Sequence, residues 1–315
     1  MGKEKTRKYG LDFLKGFAAC FVVFMHARFP ELFGYYVAMI GRTAVPIFFM
    51  TSGYFSYQAS REKIRKSIKR TAYYILVAYV LGCFALVISL HFDSNLVMQY
   101  INELILTKDH VLRLIFLTDT KLSGVAWFLL ALLICYVLKY YLGVKLRYLA
   151  YLGLMVRVLG AIQFPFLGLT IPVNTPWVTG IPFFVIGELI HENEEYLNNR
   201  LSSGVCALIG LMGLLILVVP IFHGSLWWFI GTLLLSPSLF VLFSRMDMKF
   251  NRFCLLGSTY AFFIYIVHPL VMHSYDAVRM NISGVESWLR PLIILTITVL
   301  LAVGYYSMKR KVAKR

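Results

Sequence analysis

The alternation of long apolar runs with short basic clusters is the feature that most constrains how this chain folds. Apolar residues make up 59% of its 315 residues and charged residues only 15%, whereas about a quarter of the residues in soluble domains are charged. A helix that crosses the hydrocarbon layer needs about 20 apolar residues. The sequence therefore predicts one all-α domain, residues 1–315, that is a polytopic membrane protein of about ten transmembrane helices. The predicted spans are Leu11–Arg28, Tyr35–Tyr57, Thr71–His91, Leu122–Tyr141, Leu146–Pro165, Trp177–Ile190, Ser203–Phe222, Leu226–Phe243, Cys254–His273 and Trp288–Tyr306.

The distribution of Lys and Arg predicts that both termini face the cytoplasm, because loops on that side of a membrane are enriched in basic residues. If the N-terminus is inside, the cytoplasmic segments hold 23 of the 31 Lys and Arg residues. We expect the chain to be a multi-pass protein of a bacterial cell membrane. The cytoplasmic segments are residues 1–15, 59–70, 139–147, 191–202, 244–253 and 307–315.

The net charge of +16 does not indicate a nucleic-acid partner. Nucleic-acid binding requires basic residues gathered on one folded face, and here they lie between apolar runs. The five cysteines form no CxxC pair, so neither a disulfide framework nor a zinc site is predicted, and we expect no metal. The longest connection, His91–Lys121, contains an amphipathic stretch, Leu96–Leu106, predicted either to lie along the membrane surface or to cap a cavity.

Two ionisable residues of the first predicted span lie on one helical face. Lys15 and His26 are eleven residues apart, which is three turns plus about 20°, and about 16 Å along the axis. Ionisable groups inside a membrane are costly and usually face a polar interior. We therefore predict that they share a polar seam, with a phosphate-bearing donor near Lys15 and proton transfer at His26. Alternatively, Lys15 reaches the inner interface and His26 lies among outer headgroups.

A second histidine, His268, lies in the ninth predicted span at a depth similar to that of His26. Tyr265 lies one turn earlier on the same face, and Pro269 loosens the local backbone where helices often line cavities. His268 is therefore a further candidate for catalysis, and Tyr265 a candidate for substrate binding.

The second predicted span contains Pro46 and a Ser52-Gly53 pair, which indicate a kinked helix packed closely against a neighbour. Arg42, at its outer end, is predicted to bind either an anionic acceptor or a lipid phosphate. Arg157 lies mid-span and needs a partner, for which Glu188 and His191 are the nearest candidates by chain order. A basic run follows the second span. It either fixes the orientation of the chain through attraction to anionic lipid headgroups or binds phosphate groups that enter from the cytosol. Its members are Arg61, Lys63, Arg65, Lys66, Lys69 and Arg70.

Five motifs in order resemble the membrane acyltransferase-3 family over essentially the whole chain. They are Lys15-x10-His26 after Leu-Asp, Phe-Phe-Met-Thr-Ser-Gly-Tyr-Phe at 48–55, Arg65-Lys66-x-x-Lys69-Arg70, Trp127-Phe128-Leu129, and Ser258-x-Tyr260-x5-Ile266-x-His268. The resemblance implies a ten-helix core that moves acyl groups, usually acetyl from cytosolic acetyl-CoA, to extracytoplasmic glycans and other acceptors. It implies that Lys15 and His26 are essential and that Arg65, Lys66, Lys69 and Arg70 contact the acyl-CoA donor.

The second span departs from the usual family motif, because Arg42-x-Ala44-Val45-Pro46 is similar to the membrane half of vancomycin-resistance serine racemases. The leading hypothesis is a membrane O-acyltransferase in which His26 acts as general base or carries the acyl group transiently. Arg42 or Tyr265 would stabilise the oxyanion. One alternative is a small-solute transporter, although no repeat relates residues 1–155 to 156–315. Another is a non-enzymatic scaffold of envelope biosynthesis.

Overall fold

A computed structural model of the chain describes residues 7–92, 118, 125–161, 175–219, 225–278 and 284–312. Every regular element in these ranges is a helix, which confirms the all-α prediction; the predicted stretch Leu96–Leu106 lies outside them. The α-helices are α1 Tyr9–His26, α2 Glu31–Gly41, α3 Ala44–Tyr54, α4 Arg61–Phe92, α5 Ala126–Leu142, α6 Leu146–Ala161, α7 Ile181–Glu192, α8 Glu194–Arg200, α9 Ser203–Val218, α10 Ser225–Arg245, α11 Arg252–Leu255, α12 Ala261–Val278 and α13 Val285–Val312. Two π-helical segments, Pro176–Gly180 and Leu256–Tyr260, precede α7 and α12.

Within the described ranges, seven helical stretches are long and apolar enough to span a membrane, or eight if the bent pair α8–α9 is one span. One stretch, Ala126–Leu159, has 34 residues. At 1.5 Å per residue it measures about 51 Å, well beyond the ~30 Å hydrocarbon layer. Gly143 interrupts it with φ +56°, so α5 and α6 correspond to two predicted spans. The count of ten and the orientation of the termini stay predictions.

The exposed face of α4 indicates whether it contacts water or lipid. Exposed apolar side chains recur along it at helical spacing, at Tyr73, Leu76, Val80, Phe84 and Val87. A contiguous apolar stripe of this length is unfavourable in water. Lipid therefore covers this face of α4, in agreement with a multi-pass membrane protein.

Helix α1 lies at the centre of the fold and packs against α2, α3, α10, α12 and α13. It ends at His26, four residues before Pro30, and the residue that precedes a proline is disfavoured in helical conformation. Close contact with the segment before α12 depends on Gly257, where an added Cβ would lie 1.8 Å from the Asp12 carbonyl oxygen. This contact ties the first helix to the C-terminal helices.

The predicted kink in the second span is present as a break between α2 and α3. Pro46 has no N–H to donate to the carbonyl of Arg42, one turn earlier, which weakens the helix at that point. The predicted close packing is also present, because α3 crosses α7 at Gly53. An added Cβ at Gly53 would lie 1.8 Å from the Phe184 carbonyl oxygen.

Segments predicted to share the cytoplasmic side meet at one end of the helices. Arg147 donates to Glu192 at 2.7 Å, and the Tyr57 hydroxyl donates to the same carboxylate at 2.9 Å. These hydrogen bonds, the one from Arg147 foremost, lower the pKa of Glu192 below its usual value. The same end holds a buried ion pair in which Lys139 Nζ lies 2.5 Å from Glu188 Oε1.

Candidate active site

Two cavities lie at opposite ends of α1. The inner cavity, at the Lys15 end, has a volume of about 400 Å³, and the outer cavity, at the His26 end, about 370 Å³. The structure therefore places both residues of the predicted pair at a cavity rather than at lipid. The polar and charged side chains of the inner wall are Lys15, Thr51, Ser52, Ser56, Lys63, Ser67, Arg70, Ser258 and Thr259.

The cations of the inner cavity come from two helices. Lys15 projects from α1, while Lys63 and Arg70 project from α4. Lys63, Ser67, Arg70 and Tyr74 are spaced at i, i+4, i+7 and i+11, which places them on one face of a helix. Lys63 belongs to the basic run but not to the family motif. Its helical spacing from Arg70 is the sequence signal that places it at the cavity.

The remaining members of the predicted donor-binding motif lie elsewhere on α4. Arg65, Lys66 and Lys69 are exposed, and none of them lines the inner or the outer cavity. Lys66 pairs with Glu62 at 2.7 Å across one helical turn at the surface. Of the four motif residues, the structure thus brings only Arg70 to the cavity wall that also carries Lys15.

Asp12 orients the ammonium group of Lys15. Its Oδ1 lies 2.7 Å from Lys15 Nζ, and its Oδ2 accepts from Arg7 at 2.8 Å. Asp12 itself is buried, so its two cationic partners compensate a charge that would otherwise be costly. Asp12 belongs to the Leu-Asp that precedes Lys15 in the family motif, and its i, i+3 spacing from Lys15 on the helix signals the contact.

An aromatic cluster separates the cavities. The ring of Phe48 faces the inner cavity and lies 6.4 Å from that of Tyr265, centroid to centroid. Tyr265 faces the outer cavity, and Phe128 packs 5.0 Å from it. No described residue lines both cavities, and a polar seam that joins Lys15 to His26 stays a prediction. We call Phe48, Phe128 and Tyr265 the aromatic partition.

The structure brings the two predicted histidines together. The ring centroids of His26 and His268 are 5.2 Å apart, with 41° between the ring planes. His268 is completely buried, and its Nδ1 lies 3.1 Å from the Ile264 carbonyl oxygen, to which it donates. Its Nε2 therefore carries the lone pair, and it has no hydrogen-bond partner among the described residues. His26, by contrast, is accessible from the outer cavity.

Tyr265 adjoins this pair, but its hydroxyl group points elsewhere. The ring lies 6.2 Å from that of His268, and the hydroxyl donates to the Val125 carbonyl at 2.7 Å. Its single proton is thus engaged, and the predicted donation from Tyr265 to a substrate oxyanion does not fit this arrangement. The geometry suits a residue that links α12 to α5 beside the histidines.

Three arginines line the outer cavity. The sequence predicted substrate binding for only one of them, Arg42. Arg42 lies over the ring of Trp228, with Cζ 4.3 Å from its centroid, and Arg28 and Arg157 line the same wall. The predicted partners of Arg157 are wrong. Glu188 pairs with Lys139, and His191 bonds to the Tyr54 carbonyl, whereas the Arg157 guanidinium lies over Phe229.

Each cavity also receives one π-helical segment. Thr179 of Pro176–Gly180 lines the outer cavity, and Ser258 and Thr259 of Leu256–Tyr260 line the inner one. Single π turns are frequent at functional sites because they redirect side chains out of the helical register. No group of three or more His, Cys, Asp or Glu residues suited to a metal ion occurs in the part of the chain that the structure describes.

These features define a multi-pass helical membrane protein whose interior presents a histidine pair beside two cation-lined cavities. A family model described as an acyltransferase domain matches residues 8–307. The chain therefore belongs to the acyltransferase-3 family, as its motifs predicted, and is a membrane acyltransferase of groups other than aminoacyl groups. No curated protein and no solved structure matches it. The similarity of its second span to serine racemase membrane domains stays a prediction.

Proposed function

We propose that this acyltransferase moves an acyl group, in the first instance acetyl, from cytosolic acyl-CoA to a hydroxyl group of an extracytoplasmic glycan or other envelope acceptor. The whole chain acts as one domain in a bacterial cell membrane with both termini inside. The observation that carries the proposal is the position of His26, which touches His268 and opens on the outer cavity.

The inner cavity is the proposed donor site. Lys15, Lys63 and Arg70 line it, and cations of this kind hold phosphates through charge-assisted hydrogen bonds. Ser258 and Thr259, in the π-helical segment that packs against α1, add hydroxyl groups to the wall of this cavity. Acyl-CoA carries its phosphates at one end and its thioester at the other, so phosphates held near Lys15 leave the thioester free to extend toward the aromatic partition and His26.

His26 is the proposed general base. It removes the proton of the acceptor hydroxyl as the oxygen attacks the thioester carbonyl, and it returns that proton to the departing CoA sulfur. The C–S bond breaks and a C–O ester bond forms, so no further reactant is needed. Arg42 lies in the same cavity and is the proposed donor to the developing oxyanion.

His268 is the proposed positioning residue of the pair. It lines neither cavity, so it acts through His26 rather than on a substrate. Its free Nε2 accepts a hydrogen bond from the His26 ring when that ring becomes protonated, and this stabilises the imidazolium form. The donation from Nδ1 to Ile264 supports the tautomer that this role requires.

A reconstitution experiment tests the proposal. The purified protein is placed in liposomes with labelled acetyl-CoA and extracted envelope glycans, and compared with the His26→Ala and Lys15→Ala variants. We expect both changes to abolish label transfer, the first by at least about 100-fold. The control is Lys145→Ala, because Lys145 is exposed and lines neither cavity. Persistent transfer in both variants contradicts the site, and solute uptake without transfer favours a transporter.

A further inference from the structure

A groove on the lipid-facing surface runs between α4 and α13 and has a volume of about 710 Å³. Both helices pack against α12, but among the described residues they make little contact with each other. The gap between them therefore stays open to the membrane. Its floor includes Ile266 and Val267 of α12, and Val77 and Leu81 form part of the α4 wall. We call this gap the lipid groove.

The lipid groove has the depth and polarity of one membrane leaflet. Along α13 its lining residues extend from Lys309 to Leu300. Nine residues of helix measure about 14 Å, which is close to half of the ~30 Å hydrocarbon layer. Leu300 and Leu301 make one end apolar, whereas Tyr305 and Lys309 lie toward the other. Tyr and Lys are typical of the interface between hydrocarbon and headgroups.

The polar end of the lipid groove carries a positive charge. Lys309 is exposed there, and no Asp or Glu residue occurs among the described residues that line the groove. Glu62, the acidic residue of α4, pairs with Lys66 at 2.7 Å, and Glu286, the acidic residue of α13, lies at the opposite end of that helix. A basic side chain beside a gap between membrane helices, at headgroup level, is an arrangement that binds anionic lipid headgroups.

The lipid groove shares part of its wall with the inner cavity. Tyr74 and Tyr306 line both. Other rings support these two, because Tyr74 stacks on Phe262 with 5.2 Å between centroids and Tyr306 packs 5.4 Å from Tyr260. An acyl chain in the groove therefore packs on the reverse side of the rings that bound the inner cavity.

We infer that the lipid groove binds one anionic phospholipid. Its phosphate lies at Lys309, and one acyl chain extends between α4 and α13 as far as Leu300. In the proposed orientation this is a lipid of the cytoplasmic leaflet. A neutral headgroup supplies no net negative charge to Lys309, so the charge of the groove favours the anionic lipid. The inference does not depend on the proposed reaction, because binding is measured without acyl-CoA.

Native mass spectrometry tests the headgroup. The purified full-length protein is stripped of lipid in detergent, and phosphatidylglycerol or phosphatidylcholine with identical acyl chains is added. We expect one phosphatidylglycerol to bind about five-fold more tightly than phosphatidylcholine, and Lys309→Gln to remove this difference. The matched control is Lys311→Gln, which removes an equal charge from an exposed position of the same helix that does not line the groove. It should leave the difference unchanged.

A second variant tests the position of the acyl chain. Gly304 lines the lipid groove, and an added Cβ at this residue meets nothing within 4 Å. Gly304→Leu therefore places a side chain in the groove without displacing protein atoms, and Leu is the better helix former. We expect the affinity for phosphatidylglycerol to fall at least about ten-fold, while the melting temperature in lipid-free detergent stays equal or rises.

Three results would overturn the inference. They are equal affinity of the unmodified protein for the two lipids, unchanged binding of phosphatidylglycerol to the Lys309→Gln variant, and unchanged binding to the Gly304→Leu variant. A dimer that forms without lipid and dissociates on Gly304→Leu would assign the groove to a second copy of the chain and overturn it also. Absence of acyl transfer contradicts the proposed function alone.

Discussion

The imidazole ring of His26, at the end of the first helix, packs against that of His268, which is 242 positions later in the chain, with 5.2 Å between ring centroids. One ring opens on a cavity, and the other is buried completely. This division suggests that one histidine meets substrate and the other controls its orientation and charge. The pair requires α1 to pack beside α12, and the close contact of α1 with the segment before α12 depends on Gly257.

The first prediction separates the roles of these two residues. His268→Ala should lower kcat for acyl transfer by about 100-fold through misplacement of His26, with the KM for acyl-CoA changed by less than about three-fold. His268→Gln should recover part of kcat, because an amide oxygen can accept a hydrogen bond near the position of Nε2. Steady-state release of CoA from proteoliposomes measures both constants. A Gln variant as impaired as the Ala variant would contradict the acceptor role.

The second prediction concerns the cations of the inner cavity. Lys63→Gln and Arg70→Gln should each raise the KM for acetyl-CoA by about ten-fold, since each removes a charged contact to phosphate. The KM of the double variant should also respond less to salt than that of the unmodified protein. Lys145→Gln is the control, because Lys145 is exposed and outside both cavities. Unchanged KM values in both single variants would place the donor elsewhere.

The third prediction concerns the buried ion pair between α5 and α7. The side chains of Lys139 and Glu188 are 7% and 1% exposed, so Lys139→Met should leave an uncompensated carboxylate and cost about 3–5 kcal/mol of unfolding free energy. Adding Glu188→Leu should restore most of this loss, because apolar pairs replace buried ion pairs with little penalty. Unfolding in detergent measures the free energies of unfolding of the unmodified protein and of both variants. A double variant less stable than Lys139→Met would refute the expectation.

The fourth prediction tests the crossing of α3 and α7. Gly53→Ala should lower the melting temperature and reduce the yield of folded protein, because the added methyl group would lie 1.8 Å from the Phe184 carbonyl oxygen. The helices must separate to admit it. Gly304→Ala is the matched control, since an added Cβ at Gly304 meets nothing within 4 Å, and it should leave the melting temperature unchanged or slightly higher. Equal melting temperatures in the two variants would show that the crossing is loose.

The amino-acid sequence by itself determined the solvent, the helical class and the family. Run length and charge clustering report on the membrane directly, because crossing hydrocarbon requires about 20 apolar residues whatever the neighbours are. Spacing within one helix was equally informative: the contact of Asp12 with Lys15 and the cavity face of α4 both follow from 3.6 residues per turn. Local periodicity thus placed Lys15 and His26 on one helical face, whereas Arg70 was predicted from the basic run and the family motif.

Only the tertiary structure decided which helices meet. Equal depth suggested that His26 and His268 were related, but their contact depends on α12 packing beside α1. Chain order suggested Glu188 for Arg157, whereas the fold pairs Glu188 with Lys139 and turns Arg157 toward Phe229. The aromatic partition likewise joins residues of α3, α5 and α12. Such contacts depend on the shapes of surfaces far apart in the chain, which the hydrophobic pattern of a single helix does not encode.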